Sequence, residues 1–568
     1  MRYRSKILLV IVLCCVGSGA MAQKPSYIES LNTSTKWVDS VFKKLNRNQR
    51  IAQMFFIRAH TNLSKAYQDS VGQVIKKERL GGVVFFQGGP GRQIALSNKY
   101  QSYSRVPLLV TSDGEWGLGM RLDSTISYPY QMALGAIQSE GLLYKMGIEV
   151  ARDFKRVGMH MNLSPVVDVN NNAKNPVINY RSFGEDKYNV ARKSAAYMKG
   201  MQDGGLLVSL KHFPGHGDTD VDSHYDLPLL NFTEARLDSL EMYPFKQLIN
   251  QGAAGVMIAH MNIPSLDNTP KLPSTLSKPI VTGILKEKLG FKGLIISDAM
   301  DMKGVVKYFK DGDAELMGVI AGNDILELAE DTRVAVRKIR KAIRQDKISM
   351  ERIDESVRKI LTAKYWAGLN NYIPASEANV TADLNGKEAL ELVQQLADAS
   401  ITMLKGKELI GSLNPAARTV IISIGSTVNT TFQKELGTHY TNAAFLNLDK
   451  NATQADIDKV KLQTGMNDQV IIGIHDSRTR PGNNMPLNPP ILQYISEMTG
   501  RNTVFTLFAN PYNLANLKGL EKSKGLIIAY QKEDFMQKAA ANVLKGKLNA
   551  TGKLPVSVAP FFKFGDGL

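Results

Sequence analysis

The stretch LLVSLKHFPGHGDTDVDSHYDLP, Leu206 to Pro228, joins an apolar run to a loop crowded with reactive side chains. Three of the chain's eight histidines fall in it, His212, His216 and His224, together with Lys211, Asp218 and Asp222. A buried strand that hands over to a polar loop at its C-terminal end is how a parallel barrel delivers catalytic groups to one rim. Phe213-Pro214-Gly215 and Gly217 predict a tight irregular turn there instead of a helix. The plain alternative is a solvated loop with satisfied histidines, and the density of histidine argues against it.

Working outward, short apolar runs alternate with longer amphipathic stretches from about Thr35 to Trp366, the pattern of β/α units around parallel strands. Eight such runs are visible: QMFFI (53–57), GGVVFF (81–86), PLLVTS (107–112), HMNLSPVVD (160–168), LLVSLK (206–211), AGVMIA (254–259), GLIISD (293–298) and DILEL (324–328). Eight is the number that closes a (β/α)8 barrel. Most runs end in a polar group: Arg58, Gln87, Asp113, Asp168, Lys211 with His212, His260 and Asp298. Convergence on an active site explains so many chargeable strand ends. The segment 371–386 reads as a linker. A second alternating set follows, TVIISIG (419–425), AAFLNL (443–448), QVIIGIH (469–475), TVFTLFA (503–509) and GLIIAY (525–530). The expected architecture is therefore a barrel over 35–370 and a smaller α/β/α sandwich over 387–560.

The chemistry suggested by these residues comes in three parts. Asp298 ends the seventh run, where a carboxylate is held rigidly enough to act as nucleophile or base. Asp222-Ser223-His224 sets a carboxylate two residues from an imidazole, a pair that works as a dyad when the carboxylate fixes the tautomer and raises the basicity of the ring. Asp113, Arg121 and Arg181 follow two other strands and suit hydrogen bonding to sugar hydroxyls or a carbonyl. The residues His212, His216, Asp218, Asp222 and His224 are also ligand types suited to zinc. A tight turn does not present them as a helix presents histidines at i and i+4.

At the N-terminus, Arg2, Arg4 and Lys6 precede an apolar run from Ile7 to Val16, and Ala20-Met21-Ala22 supplies a small-x-small cleavage site. This pattern predicts a secretory leader over 1–22, too short to span a membrane as a helix. Both cysteines, Cys14 and Cys15, lie inside it, so no disulfide or cysteine metal site is expected afterwards. Losing the three basic residues with the leader takes the formal charge from +17 to +14. The basic residues are scattered and the protein is expected outside the cytoplasm, which favours an anionic surface or wall polymer over nucleic acid as partner.

KHFPGHGDT followed by DSH, with ISDAMDMKG (296–304), SDGEWGLGMR (112–121), NYRSFGED (179–186) and IAHMNIPSLDNTPKLPSTLS (258–277), resembles glycoside hydrolase family 3, and within it the bacterial β-N-acetylglucosaminidases. The resemblance implies Asp298 as nucleophile, His224 as general acid/base and Asp222 as its partner. It implies that Asp113, Arg121, Arg181, Lys211 and His212 hold the N-acetylglucosamine unit. Asp301 matches no family role and is expected to be solvated. SDGEWGLGMR departs from the family's DQEGGRVQR between its two anchors. The implied reaction is retaining hydrolysis without metal or organic cofactor, on peptidoglycan fragments, muropeptides or related N-acetylglucosamine-ended glycans. Because an imidazole repels an anionic acceptor less than a carboxylate does, phosphorolysis is an alternative. A β-glucosidase of the same family and a non-catalytic glycan-binding protein are the others. Arg478 and Arg480, in HDSRTRPG, are placed to meet an anionic aglycone if they are not simply surface arginines.

Overall fold

The computed structural model describes residues 24–568 apart from 224, 466–467 and 479–483. The leader, both cysteines, His224 and Arg480 lie outside the described residues. From Phe55 onward, parallel strands are threaded by helices: β1 (Phe55–Ala59), β2 (Gly82–Phe85), β3 (Leu109–Ser112), β4 (Met161–Asn162), β5 (Leu207–Val208), β6 (Leu210–Phe213), β7 (Gly255–Ile258), β8 (Leu294–Ser297) and β9 (Leu326–Glu327). They run as β5-β4-β3-β2-β1-β9 and β6-β7-β8. β5 and β6 are two halves of one barrel position, and the bridge from Ile296 to Ile325 brings β8 against β9, so the curled sheet returns on itself. Helices cover the outside, which is why these strands read as nearly unbroken apolar runs.

Three expected strands are broken or cut to two ladder residues. The run 160–168 keeps only two ladder residues, because Pro165 has no N–H to donate and the chain leaves the sheet there. The run 206–211 breaks at Ser209, and Lys211 pairs instead with Val166. In 324–328 only Leu326 and Glu327 lie in the ladder.

The second sheet has the order β10-β15-β14-β13-β11-β12, built from β10 (Thr402–Lys405), β11 (Thr419–Ile424), β12 (Ala443–Leu448), β13 (Gln469–His475), β14 (Thr503–Phe508) and β15 (Gly525–Ile528). All neighbours are parallel except β10, which runs antiparallel to β15. Four-residue β10 was not visible in the sequence, where TMLK carries no alternation long enough to read. The stretch 371–386 is no free linker. It contains the helix Val380–Leu384 and is tied to the barrel by Arg156, which donates to the Asp383 carboxylate at 2.8 Å and to the carbonyls of Ser376 and Ala378 at 2.6 Å.

Each sheet has its own apolar core. They meet where Met132, Ala133 and Ala136 of the barrel's helix Gln131–Ala136 enter the second core. Polar ties line the same seam: Gln531 Oε1 accepts from the Tyr130 N–H at 2.7 Å, and Tyr512 Oη accepts from Asn170 Nδ2 at 3.0 Å while donating to its carbonyl at 3.1 Å.

Candidate active site

The strand ends converge as an ion network. Lys211, at the second position of β6, is 2% exposed and donates to Asp113 Oδ1 at 2.8 Å, and it stands 2.8 Å from Glu115 Oε1. Arg121 pairs with the other oxygen of Asp113. Arg181 forks onto Glu115, Nε to Oε2 at 2.9 Å and Nη2 to Oε1 at 2.7 Å. Five charged side chains from three stretches of sequence thus form one connected patch, and four of them were expected there.

Burial alone would raise both carboxyls. Lys211 and Arg121 outweigh it at Asp113, holding that group well below the usual range, and Arg181 with Lys211 lower Glu115 to about 2. Burial works against the charge on Lys211, but Asp113 and Glu115 more than restore it. The net effect is a network whose donors and acceptors are fixed before a ligand arrives, the arrangement that recognises hydroxyl and amide groups at little reorganisation cost.

The histidine loop is held by a single buried carboxylate. Asp168 Oδ1 accepts from the backbone N–H of His212 at 3.1 Å and of His216 at 2.7 Å, and its Oδ2 lies 2.8 Å from His212 Nδ1. Burial would raise Asp168, but His212 leads a set of contacts that lower it. His216 is engaged at both ring nitrogens, by Thr219 Oγ1 at 2.9 Å and Ser223 Oγ at 3.2 Å, and burial lowers its pKa to about 4. Those contacts leave His216 oriented within the loop as a neutral ring. Among the described residues no three His, Cys, Asp or Glu side chains are grouped to hold a metal ion.

Two glycines let the loop turn so tightly. Gly215 has φ +135°, and a Cβ on Gly217 would stand 1.8 Å from the Val169 carbonyl oxygen. Further along, Arg236 Nη2 binds Asp218 at 3.3 Å and Glu241 at 3.0 Å. Where the loop ends, a Cβ on Gly304 would meet the Ser223 carbonyl at 3.1 Å, so the Asp222-Ser223 segment lies against ISDAMDMKG.

Asp298 follows β8 directly. Its N–H donates to the Ile258 carbonyl at 3.0 Å, and its Oδ1 accepts from the Ala299 N–H at 2.8 Å. His260, at the end of β7, braces this turn from Nε2 to the Ala299 carbonyl at 3.0 Å, with Nδ1 2.7 Å from Thr275 Oγ1. Asp301, expected to be solvated, is ion-paired with Arg58 of β1 at 2.7 Å. Asp222 is half-buried in the loop. Arg478 forks onto Asp476, with Nη2 at 2.7 Å from Oδ2, so its charge is already met within the second domain.

Glu115 was absent from the expected site, His216 was read only as a loop histidine and possible zinc ligand, and Asp168 only as a polar strand end. Glu115 carried a signal, as a lone carboxylate between the two anchors Asp113 and Arg121. Beside it, Trp116, Tyr130 and Tyr180 form a half-exposed aromatic wall with centroids 4.8 Å (Trp116 to Tyr130) and 4.9 Å (Tyr130 to Tyr180) apart.

Comparison with known proteins places both the sequence and the fold. A beta-hexosaminidase A of Pseudoalteromonas piscicida is 27% identical over 550 residues, covering 86% of this chain and 91% of that protein. A glycoside hydrolase family 3 beta-N-acetylglucosaminidase from Paenibacillus sp. str. FPU-7 superposes with a TM-score of 0.76 at 26% identity, over 90% of this chain and 99% of that one. A beta-glucoside phosphorylase shares the fold, with a TM-score of 0.79 at 22% identity over 94% of this chain and 97% of its own. The profile of the Glycosyl hydrolase family 3 N terminal domain matches residues 47–363, the stretch that carries every charged group of the pocket, and the chain belongs to that family.

Proposed function

We propose that the protein is a retaining exo-β-N-acetylglucosaminidase, with Asp298 as nucleophile, His224 as general acid/base and Asp222 orienting His224. The observation that carries the reading is the convergence of charged side chains on the strand ends. A strand-end carboxylate, Asp298, shares its rim with a prearranged wall of Asp113, Arg121, Lys211, Glu115 and Arg181, and the histidine loop packs against the Asp298 segment. The relatives named beta-hexosaminidase and beta-N-acetylglucosaminidase support the choice of sugar.

In this mechanism His224 gives its proton to the glycosidic oxygen as Asp298 attacks C1 through an oxocarbenium-like transition state, and the leaving alcohol departs. His224 then takes a proton from water while the water oxygen bonds to C1 and releases Asp298. Asp113, Arg121, Arg181, Lys211 and His212 bind the N-acetylglucosamine unit, and the aromatic wall offers a flat face to a sugar ring. No metal or organic cofactor takes part in these steps. The leader-like N-terminus supports export to the periplasm or exterior, and the basic balance suits an anionic wall. Peptidoglycan fragments and muropeptides are the substrates that fit both. No helix among the described residues is long and apolar enough to cross a membrane.

The test is turnover of a chromogenic N-acetylglucosaminide against the matching glucoside, with and without phosphate. The reading expects kcat/KM to favour the N-acetylglucosaminide by about 100-fold or more, since a pocket built to bind a group penalises the analogue lacking it. A preference for the glucoside, or a requirement for phosphate, contradicts it.

A further inference from the structure

Outside the network around Asp298, three helices enclose a cavity of about 700 Å³ whose charge is one-sided. Its walls are the helix Arg47–Gln53, the C-terminal end of the helix Lys65–Glu78 and the N-terminal half of the helix Thr332–Arg344. Five cations line it, Lys77, Arg79, Arg333, Arg337 and Arg340, against two carboxylates, Glu78 and Asp331. Both carboxylates are already engaged: Glu78 accepts from the Thr332 hydroxyl, and Asp331 caps its helix by accepting from the N–H groups of Arg333 at 2.8 Å and Val334 at 3.2 Å. Arg333 approaches them only to 3.6 Å and 3.5 Å. Among the described residues Lys77, Arg79, Arg337 and Arg340 have no ion pair, and half-buried Arg340 holds a buried Nε without a hydrogen-bond partner.

The sequence of the third helix explains the imbalance. Ala335, Ile339, Ala342 and Ile343 are buried, which turns Arg333, Arg337, Arg340 and Arg344, spaced i, i+4, i+7 and i+11, onto one outer stripe. At the helical rise that stripe runs about 16 Å. Lys338 lies off it and is paired with Asp313 at 2.6 Å. Arg79 lines the cavity from the end of its own helix, in a left-handed conformation, φ +58°, that glycine adopts at less cost. A basic helix face by itself is ordinary solvated charge. Cations gathered in a concave space repel one another and raise the local potential, which a bound anion relieves. Planar guanidiniums take carboxylates through paired hydrogen bonds. No aromatic side chain lines the cavity for bases to stack on, and its apolar members, Ala52 and Val336, are too few to insert into a lipid surface. Membership of a glycoside hydrolase family makes a glycan the polymer at hand.

We propose that this groove is a second glycan site, in which Arg79, Arg337 and Arg340 bind carboxylates of an acidic polysaccharide while Arg333 and Arg344 extend the contact along the chain. The site holds the protein on a charged polymer and breaks no bond. None of its residues belongs to the network around Asp298, so the proposal stands whichever glycosidic bond the enzyme cuts. Because much of the stripe is exposed, its attraction is screened by salt.

The experiment measures binding of polygalacturonate to the full chain by calorimetry, at low and at raised ionic strength, with dextran as the neutral polymer. Binding of polygalacturonate but not of dextran, weakened by salt, is expected. Arg337→Glu combined with Arg340→Glu should lower the affinity at least about tenfold, through the loss of two charge-assisted contacts. Lys407→Glu combined with Lys518→Glu makes the same change of net charge on exposed lysines of the second domain and should lower it less than about twofold. Turnover of a small chromogenic N-acetylglucosaminide should stay within about twofold in both, since neither pair touches the reacting sugar. If the arginine pair does not fold on charge reversal, Arg337→Gln combined with Arg344→Gln, both exposed, decides instead, with a loss of about threefold expected. Absent or salt-insensitive binding, an unchanged affinity in the arginine variants, equal losses in the two charge-reversal pairs, or a comparable loss of turnover would overturn the proposal. So would tighter binding of duplex DNA or of phosphatidylglycerol vesicles than of polygalacturonate.

Discussion

Lys211 stands 2.8 Å from Asp113 and 2.8 Å from Glu115, so three buried charges depend on one another. Such groups are costly to bury and contribute order more than stability, but breaking the set leaves an unmatched charge. Glu115→Gln should therefore destabilise the fold at neutral pH by about 3 kcal/mol, through Arg181 and Lys211. The acid response has a definite sign. Folding lowers Glu115 from the ordinary carboxyl value of 4.5 to about 2, so its stabilisation is present above about pH 4.5 and is lost as pH falls toward 2. Denaturant midpoints across that window should fall less steeply in Glu115→Gln than in the unmodified protein, and parallel curves would contradict the coupling. At this scale the sequence revealed which residue types were concentrated, not who pairs with whom. Lys211 and Asp113 were legible as strand ends, but their contact spans almost a hundred residues.

The element that carries the most risk is the histidine loop, since it packs two buried imidazoles and turns between other backbones. Its shape follows from Asp168, which gathers the N–H groups of His212 and His216, and from glycines where no side chain fits. Gly217→Ala would drive a Cβ into the Val169 carbonyl, 1.8 Å away, against backbone atoms of Val169 and Asn170 that cannot rotate aside as a side chain would. The loop should be displaced, with activity reduced at least about 100-fold while the barrel stays folded. Near-normal turnover by a folded Gly217→Ala enzyme would show that the loop geometry does not matter to the reaction. The irregular turn was legible from Pro214 and the glycines, and so were most strands. The shortness of β4 and β9 and the existence of the antiparallel β10 were not, because ladder pairing depends on neighbours that a local apolar run does not reveal.

Across the whole molecule, barrel and second sheet share a seam that is partly apolar, through Met132, Ala133 and Ala136, and partly polar, through Tyr130, Asn170, Gln531 and Tyr512. The barrel supplies Asp113, Glu115, Arg181, Lys211 and Asp298, while the second domain borders the aromatic wall at Tyr130. Eight apolar runs, most with polar ends, made the barrel legible, as the second set made the sandwich. The packing of the supposed linker against Arg156 and Asn98 was not, since irregular segments show no periodicity even when fixed in place. The account stands on one covalent bond, and mass-spectrometric mapping of the intact enzyme trapped with a 5-fluoro N-acetylglucosaminyl fluoride tests it most directly. The predicted result is a single glycosylated peptide containing Asp298 as the modified residue. A label on any other carboxylate, or turnover that leaves no trapped intermediate and inverts the anomeric centre, would contradict it.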